Sequence, residues 1–573
     1  MGQMVSLVLK MLIGAGKKVS EELNENTRHP DEVQFQTLMD ILKSAENSEF
    51  GKEYDFQSIK TVEGFQKRIP LTDYDFFCER ISRMVKGEEN VLTGDKIVHF
   101  NVTSGTLGTA KKIPVTEKHV QVFARCNAKY LNCVAAQRLG TSWTKGKGLS
   151  LAEGTYEILP SGISVGCASS IQAARMGKMI PFIKIDTASM MYTSPTEARQ
   201  PIVGSVYSRY LHALFALREK NITYGNVTFS SVLLESMRYI ENHWQLLCDN
   251  IEKGSLDPDA AIPEEVQKTL LKKLKPMPKR AAELRKIFSE GFDTPFGPKV
   301  WPGLKFFMCV GGAGFQTYTD KLLDRYLGRD VHILYLGLSA SEAMFSLPVD
   351  IDNPNSVFVP DASFYEFIPV ENGERDDSQG IKLLGELEVG KQYEIIVTNV
   401  SGLYRYQMKD VIEVTGFYNK TPLVQFVNRS GFAVSMYAEK TSEKAIQYTA
   451  EKVAEALGLD MVDYCVCPYM DDNGGRYVFM YEYSTYKGGM SKDKIKEETE
   501  KILCEANPRY AAGLKKSNLQ PLEVRVLQPE TFMLYRDVMI MKGKSATQLK
   551  PVHVTKNPFQ EKFFLGLEDK GLK

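Results

Sequence analysis

No charge of either sign predominates in this sequence. Its 71 lysines and arginines are matched by 71 aspartates and glutamates, so net charge favours neither a nucleic acid nor an acidic polymer as partner. The densest basic stretch, 268–285, interleaves Lys272, Lys273, Lys275, Lys279 and Arg280 with Leu270, Leu271, Leu274 and Leu284, and Pro276 and Pro278 interrupt it. That pattern reads as a solvated helical surface. Paired cysteines are missing too. The nine are scattered and odd in number, and the one close pair, Cys465-x-Cys467, sits in an alternating apolar run. Such spacing argues against a disulfide framework and a zinc site; reduced thiols suit a cytoplasmic location. Repeats and low-complexity segments are absent. Near the start, Val5 to Ile13 is apolar but broken by Ser6 and Lys10, far short of the roughly 20 residues that span a bilayer. No basic region precedes it and no clear cleavage site follows, which argues against a secretory signal. No nucleic-acid partner and no stable membrane association are expected.

Two readings of the first residues stay open. Met1-Gly2-Gln3-Met4-Val5-Ser6 fits the N-myristoylation pattern at Gly2. The other reading is an amphipathic first helix with Leu7, Leu9 and Leu12 packed on the body.

A chain of 573 residues exceeds the usual size of one domain. The first hundred residues look helical: Phe35, Leu38, Ile41 and Leu42 recur at helical spacing, before a turn signal at 47–51. Between about 115 and 330, helical patterns (119–138, 200–217, 231–251) alternate with strand-like runs at 224–229, 306–310 and 332–336. That alternation predicts α/β layers with central strands. From 356 to 426 the runs 357–359, 364–370, 392–398, 402–408 and 411–418 predict a β-rich, barrel-like subdomain. After 428 the order helix, strand, strand, helix, strand predicts a compact α+β unit. The fold class is thus α/β: a large N-terminal domain, 1–430, with β-sheets flanked by helices plus the barrel-like subdomain, and a small C-terminal α+β domain, 431–573.

Three short motifs carry chemistry. The first, Thr103-Ser104-Gly105-Thr106-Leu107-Gly108-Thr109-Ala110-Lys111, follows the strand at 97–102. Glycines let a backbone turn tightly and present N–H groups, hydroxyls donate to phosphate oxygens, and lysine adds charge. The pattern is not G-x-x-x-x-G-K-[ST], so on composition it is either a phosphate loop or a Ser/Gly surface loop. Second, Tyr335-Leu-Gly-Leu-Ser339-Ala340-Ser341-Glu342-Ala343 places a carboxylate in a small-residue turn after a strand. There Glu342 could hold Mg²⁺ on ATP phosphates, or it could complete a capping box with Ser339 at the start of a helix. Third, Gly402-Leu-Tyr-Arg405-Tyr-Gln-Met-Lys409-Asp410 reads as a strand hairpin with a charged tip. Asp410 is then either a ribose ligand or an ordinary turn aspartate.

In order and spacing the three motifs resemble those of the acyl acid amido synthetases of the Gretchen Hagen auxin-responsive family, a branch of the adenylate-forming enzymes. The first is similar to the loop T-S-G-T-T-G-x-P-K, with Leu107 and Ala110 as departures. Leu42 to Phe56, Pro70-Leu-Thr-Asp-Tyr74, Leu403-Tyr-Arg-Tyr406 and Val414-Thr-Gly-Phe-Tyr418 extend the resemblance over nearly the whole chain. It implies an enzyme that uses ATP and Mg²⁺ to turn a carboxylic acid into its acyl-AMP and passes the acyl group to an amine, such as an amino acid. Ser104, Gly105, Thr106 and Lys111 are implied to contact ATP phosphates. Gly312 and Ala313, in Val310-Gly-Gly-Ala-Gly314, lie beside adenine, Glu342 binds the metal, and Asp410 holds ribose. Arg429 reaches the nucleotide near the hinge, and Lys550, in Gln548-Leu-Lys-Pro551, is the catalytic lysine of a C-terminal domain that turns between half-reactions. Where the family commonly has an aromatic residue, a glycine after the glutamate and a glycine before the aspartate, this chain has Leu338, Ala343 and Lys409. A thiol acceptor such as coenzyme A, and a binding protein without turnover, remain as alternatives. None of the seven histidines lies in a motif selecting it as base; His332 reads as a core histidine, or as a neighbour of the Glu342 turn. A monomer is the default expectation.

Overall fold

The computed structural model describes residues 2–103, 111–169, 171, 187–371, 373–429, 436–437, 439–471, 474–484, 491–516, 519–546 and 549–569. The chain forms two compact units, Met1–Val427 with Ser545–Gln548, and Asn428–Lys544 with Leu549–Lys573.

The first unit opens with a helical layer. In the helix Pro30–Ala45, proline presets the first turn, and Leu38, Ile41, Leu42 and Ala45 form the buried face; Phe35 is left exposed. The turn signal at 47–51 is a short helix instead, Glu49–Glu53, started by the Ser48 hydroxyl accepting from the Gly51 amide at 3.0 Å. The first helix, Gly2–Asn26, buries Val5, Leu9 and Ile13, and a Cβ on Gly16 would stand 2.3 Å from the Lys129 carbonyl oxygen. Leu7, expected on the packed side, is 59% exposed. It lies about 200° round the helix from Leu9 and cannot share its face.

Strands β1 (Ile97–Val102) and β2 (Lys112–Thr116) form an antiparallel hairpin, and β1 also runs parallel to Ser164–Gly166. Strands β3 (Lys147–Ser150), β4 (Ile222–Phe229), β5 (Phe306–Val310) and β6 (His332–Tyr335) make a parallel sheet in that order. One face packs Phe307 and Ile333 against Leu211, Leu214 and Leu233 of the helices Ser208–Arg218 and Ser230–Lys253. The other packs Phe306, Met308 and Leu334 in one core with Val5 and Leu9 of the first helix. Burial on both faces is why Phe306–Val310 reads as an unbroken apolar run, whereas Lys147–Ser150, with its lysine, glycine and serine, did not read as a strand. The stretch after 345 builds an antiparallel sheet of eight strands. It includes β7 (Phe364–Glu371), β8 (Gln392–Thr398), β9 (Tyr406–Tyr418) and β10 (Thr421–Arg429).

The second unit is a three-stranded sheet, with β12 (Gly474–Tyr483) between β11 (Met461–Asp471) and β13 (Glu523–Val526). Tyr464, Val466, Phe479 and Tyr481 face the helices Glu443–Leu457 and Lys492–Ala506 through Ile446, Val453, Ile495 and Leu503. Cys465, Cys467, Val478 and Met480 point the other way, onto Tyr535 and Phe564 of the helices Thr531–Met541 and Pro558–Gly566. The Cys-x-Cys pair is thus two successive inward positions of a strand. Burial pushes the Cys467 thiol up to about 12, and all nine cysteines are free.

Arg405 joins the helical layer to the antiparallel sheet. It is 5% exposed, and Glu366 on β7 is 1% exposed. The guanidinium donates through Nη2 at 2.9 Å and Nε at 3.0 Å to the Glu366 carboxylate, and through Nη1 to the carbonyls of Gln66 (2.9 Å) and Ile69 (2.8 Å). Removing one partner strands a buried charge, which costs about 3–5 kcal/mol. Glu366→Gln is expected to lose that much stability by urea unfolding; a loss under about 1 kcal/mol would mean the pair is water-screened.

Two buried histidines make the fold acid-sensitive. Burial above all, and then His99, lowers His119 to about 4; burial, and then Arg199, lowers His212 to about 3. Unfolded histidine protonates near 6.5, so below that pH the unfolded chain binds protons that the folded chain refuses. Stability should be full above about pH 6.5 and fall by a few kcal/mol as pH drops toward 4. Urea midpoints across this range check it, and His119→Gln with His212→Gln should flatten the slope.

Candidate functional site

The loops that leave the carboxyl ends of adjacent parallel strands form a natural ligand crevice. After β5 the chain continues Gly311-Gly312-Ala313-Gly314. The Thr319 hydroxyl donates to the Gly311 carbonyl at 2.7 Å, and a Cβ at Gly311 would stand 2.7 Å from that oxygen. Ala313 is exposed at φ +49 and starts a single tight turn to Phe315, whose ring stacks on Phe229 at the end of β4 with centroids 5.0 Å apart. Gly312 and Ala313 therefore lie at the open end of the sheet.

After β6 the chain makes a closed loop. Ser339 bridges to Met344, and the Ala340 amide donates to the Ala343 carbonyl at 2.9 Å. Glu342 sits in this loop, 7% exposed. No helix follows it: the chain enters the strand Ser346–Pro348, so the capping-box reading fails. Two asparagine amides reach consecutive carbonyls of the loop. Asn101 Nδ2 donates to Ser341 at 2.8 Å, and Asn399 Nδ2 donates to Glu342 at 2.7 Å.

Those two bonds gather the motifs. Asn101 is on β1, two residues before Thr103, whose amide donates to the Lys111 carbonyl at 3.1 Å and closes the base of the first motif. Ser104, Gly105 and Thr106 lie outside the described residues. Lys111 is exposed, with its ammonium 5.4 Å from the centre of the Tyr74 ring. The Tyr74 hydroxyl accepts from the Lys112 amide at 3.0 Å. Asn399 follows β8 and so ties the antiparallel sheet to the same loop. Neither asparagine was picked out from sequence; the available signal was a polar residue ending an otherwise apolar strand.

Asp410 is not at a hairpin tip. It lies within the continuous strand β9, 8% exposed. The register explains why the sequence read two strands there: Glu394 faces Val411 and Ile396 faces Gln407, so Ile395 alone opposes 408–410. This bulge re-aims the strand at Asp410. It is made by Lys409, exposed and at φ +61, the left-handed region where glycine is at ease. Ala343 is buried in the core that includes Phe345, and it is not among the residues of positive φ. Leu338 packs against that same core.

Arg429 ends β10, exposed, and groups with the second unit. Lys550 is exposed and also belongs to that unit. It precedes a short extended segment held on β11: the Val466 amide donates to the His553 carbonyl at 2.8 Å, and the Thr555 amide to the Val466 carbonyl at 2.9 Å. His553 stacks on Tyr464 with centroids 4.3 Å apart. His332 is neither a core histidine nor a neighbour of Glu342. It begins β6, at the far end of the strand, partly exposed and 2.6 Å from Asp352.

Among the described residues no three His, Cys, Asp or Glu side chains gather as a metal site. One buried carboxylate is enough for Mg²⁺ that arrives with its nucleotide, because Mg²⁺ commonly takes one or two carboxylates and completes its shell with phosphate oxygens and water.

Comparison with known proteins places this arrangement. A solved acyl acid amido synthetase aligns over 96% of each chain with a TM-score of 0.82 at 22% identity, so the fold is that of those enzymes. The same named enzyme in complex with 2,4-DB gives 0.80 at 21% identity, over 97% of this chain and 96% of that one. Family models match three consecutive stretches: the GH3 family N-terminal domain at 19–332, the central domain at 356–429 and the C-terminal domain at 440–558. The chain belongs to the GH3 family. Its relatives include a jasmonoyl–L-amino acid synthetase of Oryza sativa subsp. japonica, 26% identical over 94% of this chain and 95% of the relative. A 4-substituted benzoates–glutamate ligase of Arabidopsis thaliana is also 26% identical, over 95% and 96%.

The bulge at Lys409 has a measurable consequence. A left-handed conformation costs a non-glycine residue about 1–2 kcal/mol, and β-branching makes it worse. Lys409→Gly should match or exceed the parent in Tm, while Lys409→Val should fall below both by several degrees. Equal Tm values for valine and glycine would mean the bulge is absent.

Proposed function

We propose that this protein is a ligase that uses ATP and Mg²⁺ to convert a carboxylic acid into its acyl-adenylate and then transfers the acyl group to the amine of an amino acid, forming an amide. The observation that carries this is the pair of hydrogen bonds from the side-chain amides of Asn101 and Asn399 to the main-chain carbonyls of Ser341 and Glu342, which ties the strand leading into the Thr103–Lys111 motif to the loop that carries Glu342. The full-length likeness to amido synthetases supports the same reading.

In the first half-reaction a substrate carboxylate oxygen attacks the α-phosphorus of ATP. An acyl–O–P bond forms, the bond to the β-phosphate bridge breaks, and pyrophosphate leaves with the electron pair. Little covalent work falls to the protein, so its task is to place the reactants and neutralise phosphate charge. Ser104, Gly105, Thr106 and Lys111 take the β- and γ-phosphates, and Lys550 takes the α-phosphate. Gly312 and Ala313 present backbone to adenine, Asp410 accepts from the ribose hydroxyls, and Arg429 reaches the nucleotide from the second unit. Glu342 would hold Mg²⁺, which when bound would neutralise charge on the phosphate oxygens. In the second half-reaction the amine nitrogen attacks the acyl carbonyl, the C–O bond to AMP breaks, and AMP leaves. The ammonium formed on nitrogen gives up a proton as the amide forms. Nine free cysteines suit an enzyme of a reducing, cytoplasmic compartment.

ATP–pyrophosphate exchange with Mg²⁺, across a panel of carboxylic acids and with no amine, tests the proposal. Exchange that depends on one class of acid is expected. Lys550→Ala should cut it by about 100-fold or more with Tm unchanged. Normal exchange in that variant would remove Lys550 from its role. Failure of both exchange and ATP binding would sink the function itself.

A further inference from the structure

The first helix carries more than a packing face. Its inner side is buried through Val5, Val8, Leu9 and Ile13, and the Ser6 hydroxyl lies 2.8 Å from that of Thr144, so the helix is fastened to the body. Its outer side should then be polar, as on most surface helices. It is not: Met4, Leu7 and Met11 recur at helical spacing on that side and are 40%, 59% and 67% exposed. Gly14 continues the stripe and is exposed as well. Large apolar side chains aligned on one exposed face mark an interaction surface.

Up to Val19 the charges beside the stripe are of one sign: Lys10 and Lys17 lie along one side of it, both exposed, and no acidic residue occurs before Glu21. Lys18, in line with the stripe, lies 3.8 Å from Glu22 and is already paired. Lys145, exposed, follows Thr144 at the same end. In a chain of zero net charge this is a local departure. Apolar side chains with lysines beside them match a bilayer surface, where the apolar groups enter the acyl boundary and the ammonium groups meet anionic headgroups. Insertion across the bilayer is not in question: among the described residues no helix is long and apolar enough to cross a membrane.

We propose that the outer face of the first turns of the helix Gly2–Asn26 docks the enzyme reversibly on anionic lipid surfaces, with Met4, Leu7 and Met11 entering the interface and Lys10 and Lys17 pairing with headgroups. Three apolar side chains and two lysines make a weak, salt-sensitive contact. Such a contact goes beyond the expectation of no stable membrane association without requiring a spanning segment.

The test is co-sedimentation of the full chain with vesicles of phosphatidylcholine alone and of phosphatidylcholine with phosphatidylserine. Binding is expected to the mixed vesicles, to be weak or absent on the neutral ones, and to fall as salt rises. Leu7→Gln with Met11→Gln should weaken it by about tenfold or more. Each of Lys10→Gln and Lys17→Gln should weaken it by about fivefold. All these side chains are exposed, so Tm and ATP–pyrophosphate exchange serve as checks that the variants are folded. No binding to mixed vesicles, or binding that the Leu7/Met11 variant retains, would overturn the proposal. So would a dimer on gel filtration that the same variant dissociates, which would assign the stripe to a second copy.

Discussion

The ion pair between Arg405 and Glu366 is the contact on which the site's geometry rests. Burying two charges is expensive, and the cost is offset only where geometry is close and the remaining donors are satisfied. Both conditions hold, since the guanidinium reaches two main-chain carbonyls of the helical layer as well as the carboxylate. Arg405 itself is held at φ +48. On either side of it the backbone is clamped: the Thr72 amide donates to the Arg405 carbonyl at 3.0 Å, and the Gln407 amide to the Thr72 carbonyl at 3.0 Å. The Tyr404 hydroxyl donates to Leu92 at 2.7 Å, with its ring stacked on Phe50. The segment so fixed runs from Asn399 to Asp410. It therefore sets both the amide that holds the Glu342 loop and the carboxylate proposed to hold ribose.

The two asparagines extend the same logic. Their side-chain amides donate to the main-chain carbonyls of Ser341 and Glu342, so these two bonds hold the loop by its backbone. A neutral amide adds no charge next to the carboxylate proposed to hold metal, whereas a lysine or arginine in its place would compete with a cation there. The same two bonds link three sheets within the first unit: the sheet of the β1–β2 hairpin, the parallel sheet and the antiparallel sheet.

How much of this was legible in the sequence depended on whether local pattern and tertiary role coincided. Phe306–Val310 and Gln392–Thr398 were read at their true bounds because the first is apolar throughout and the second is rich in β-branched and aromatic residues that begin just after the turn signal Gly390-Lys391. Thr531–Met541 was not read as a helix. Phe532, Met533, Leu534, Val538, Met539, Ile540 and Met541 surround it, so no apolar period marks a buried face. Leu7 was misplaced because leucine on any face looks like core. At β9 the strand was split in two because a bulge made by lysine has no sequence marker, where glycine would have advertised it. Asn101 and Asn399 act at long range, and their partners lie 240 and 57 residues away. No local rule could have paired them.

The departures from the family pattern can now be weighed by what each backbone position demands. Lys409 occupies a left-handed position, so the glycine of the family relieves strain there and does no chemistry. Lysine preserves the bulge and with it the placement of Asp410. Ala343 has ordinary φ and a buried methyl group, so glycine is not required after the glutamate. Leu338 is different in kind, because it replaces a flat aromatic face with a branched aliphatic one that leans on the core. In the proposed role beside adenine an aliphatic group would still bury ring surface by the hydrophobic effect, but without the offset-stacking contribution of an aromatic pair, worth about 0.5–1.5 kcal/mol. Two of the three departures therefore leave the backbone around Glu342 and Asp410 as the fold requires it, and under the proposed roles the third would bear on adenine affinity rather than on turnover. That distribution fits a working ligase better than a homologue that has lost its chemistry.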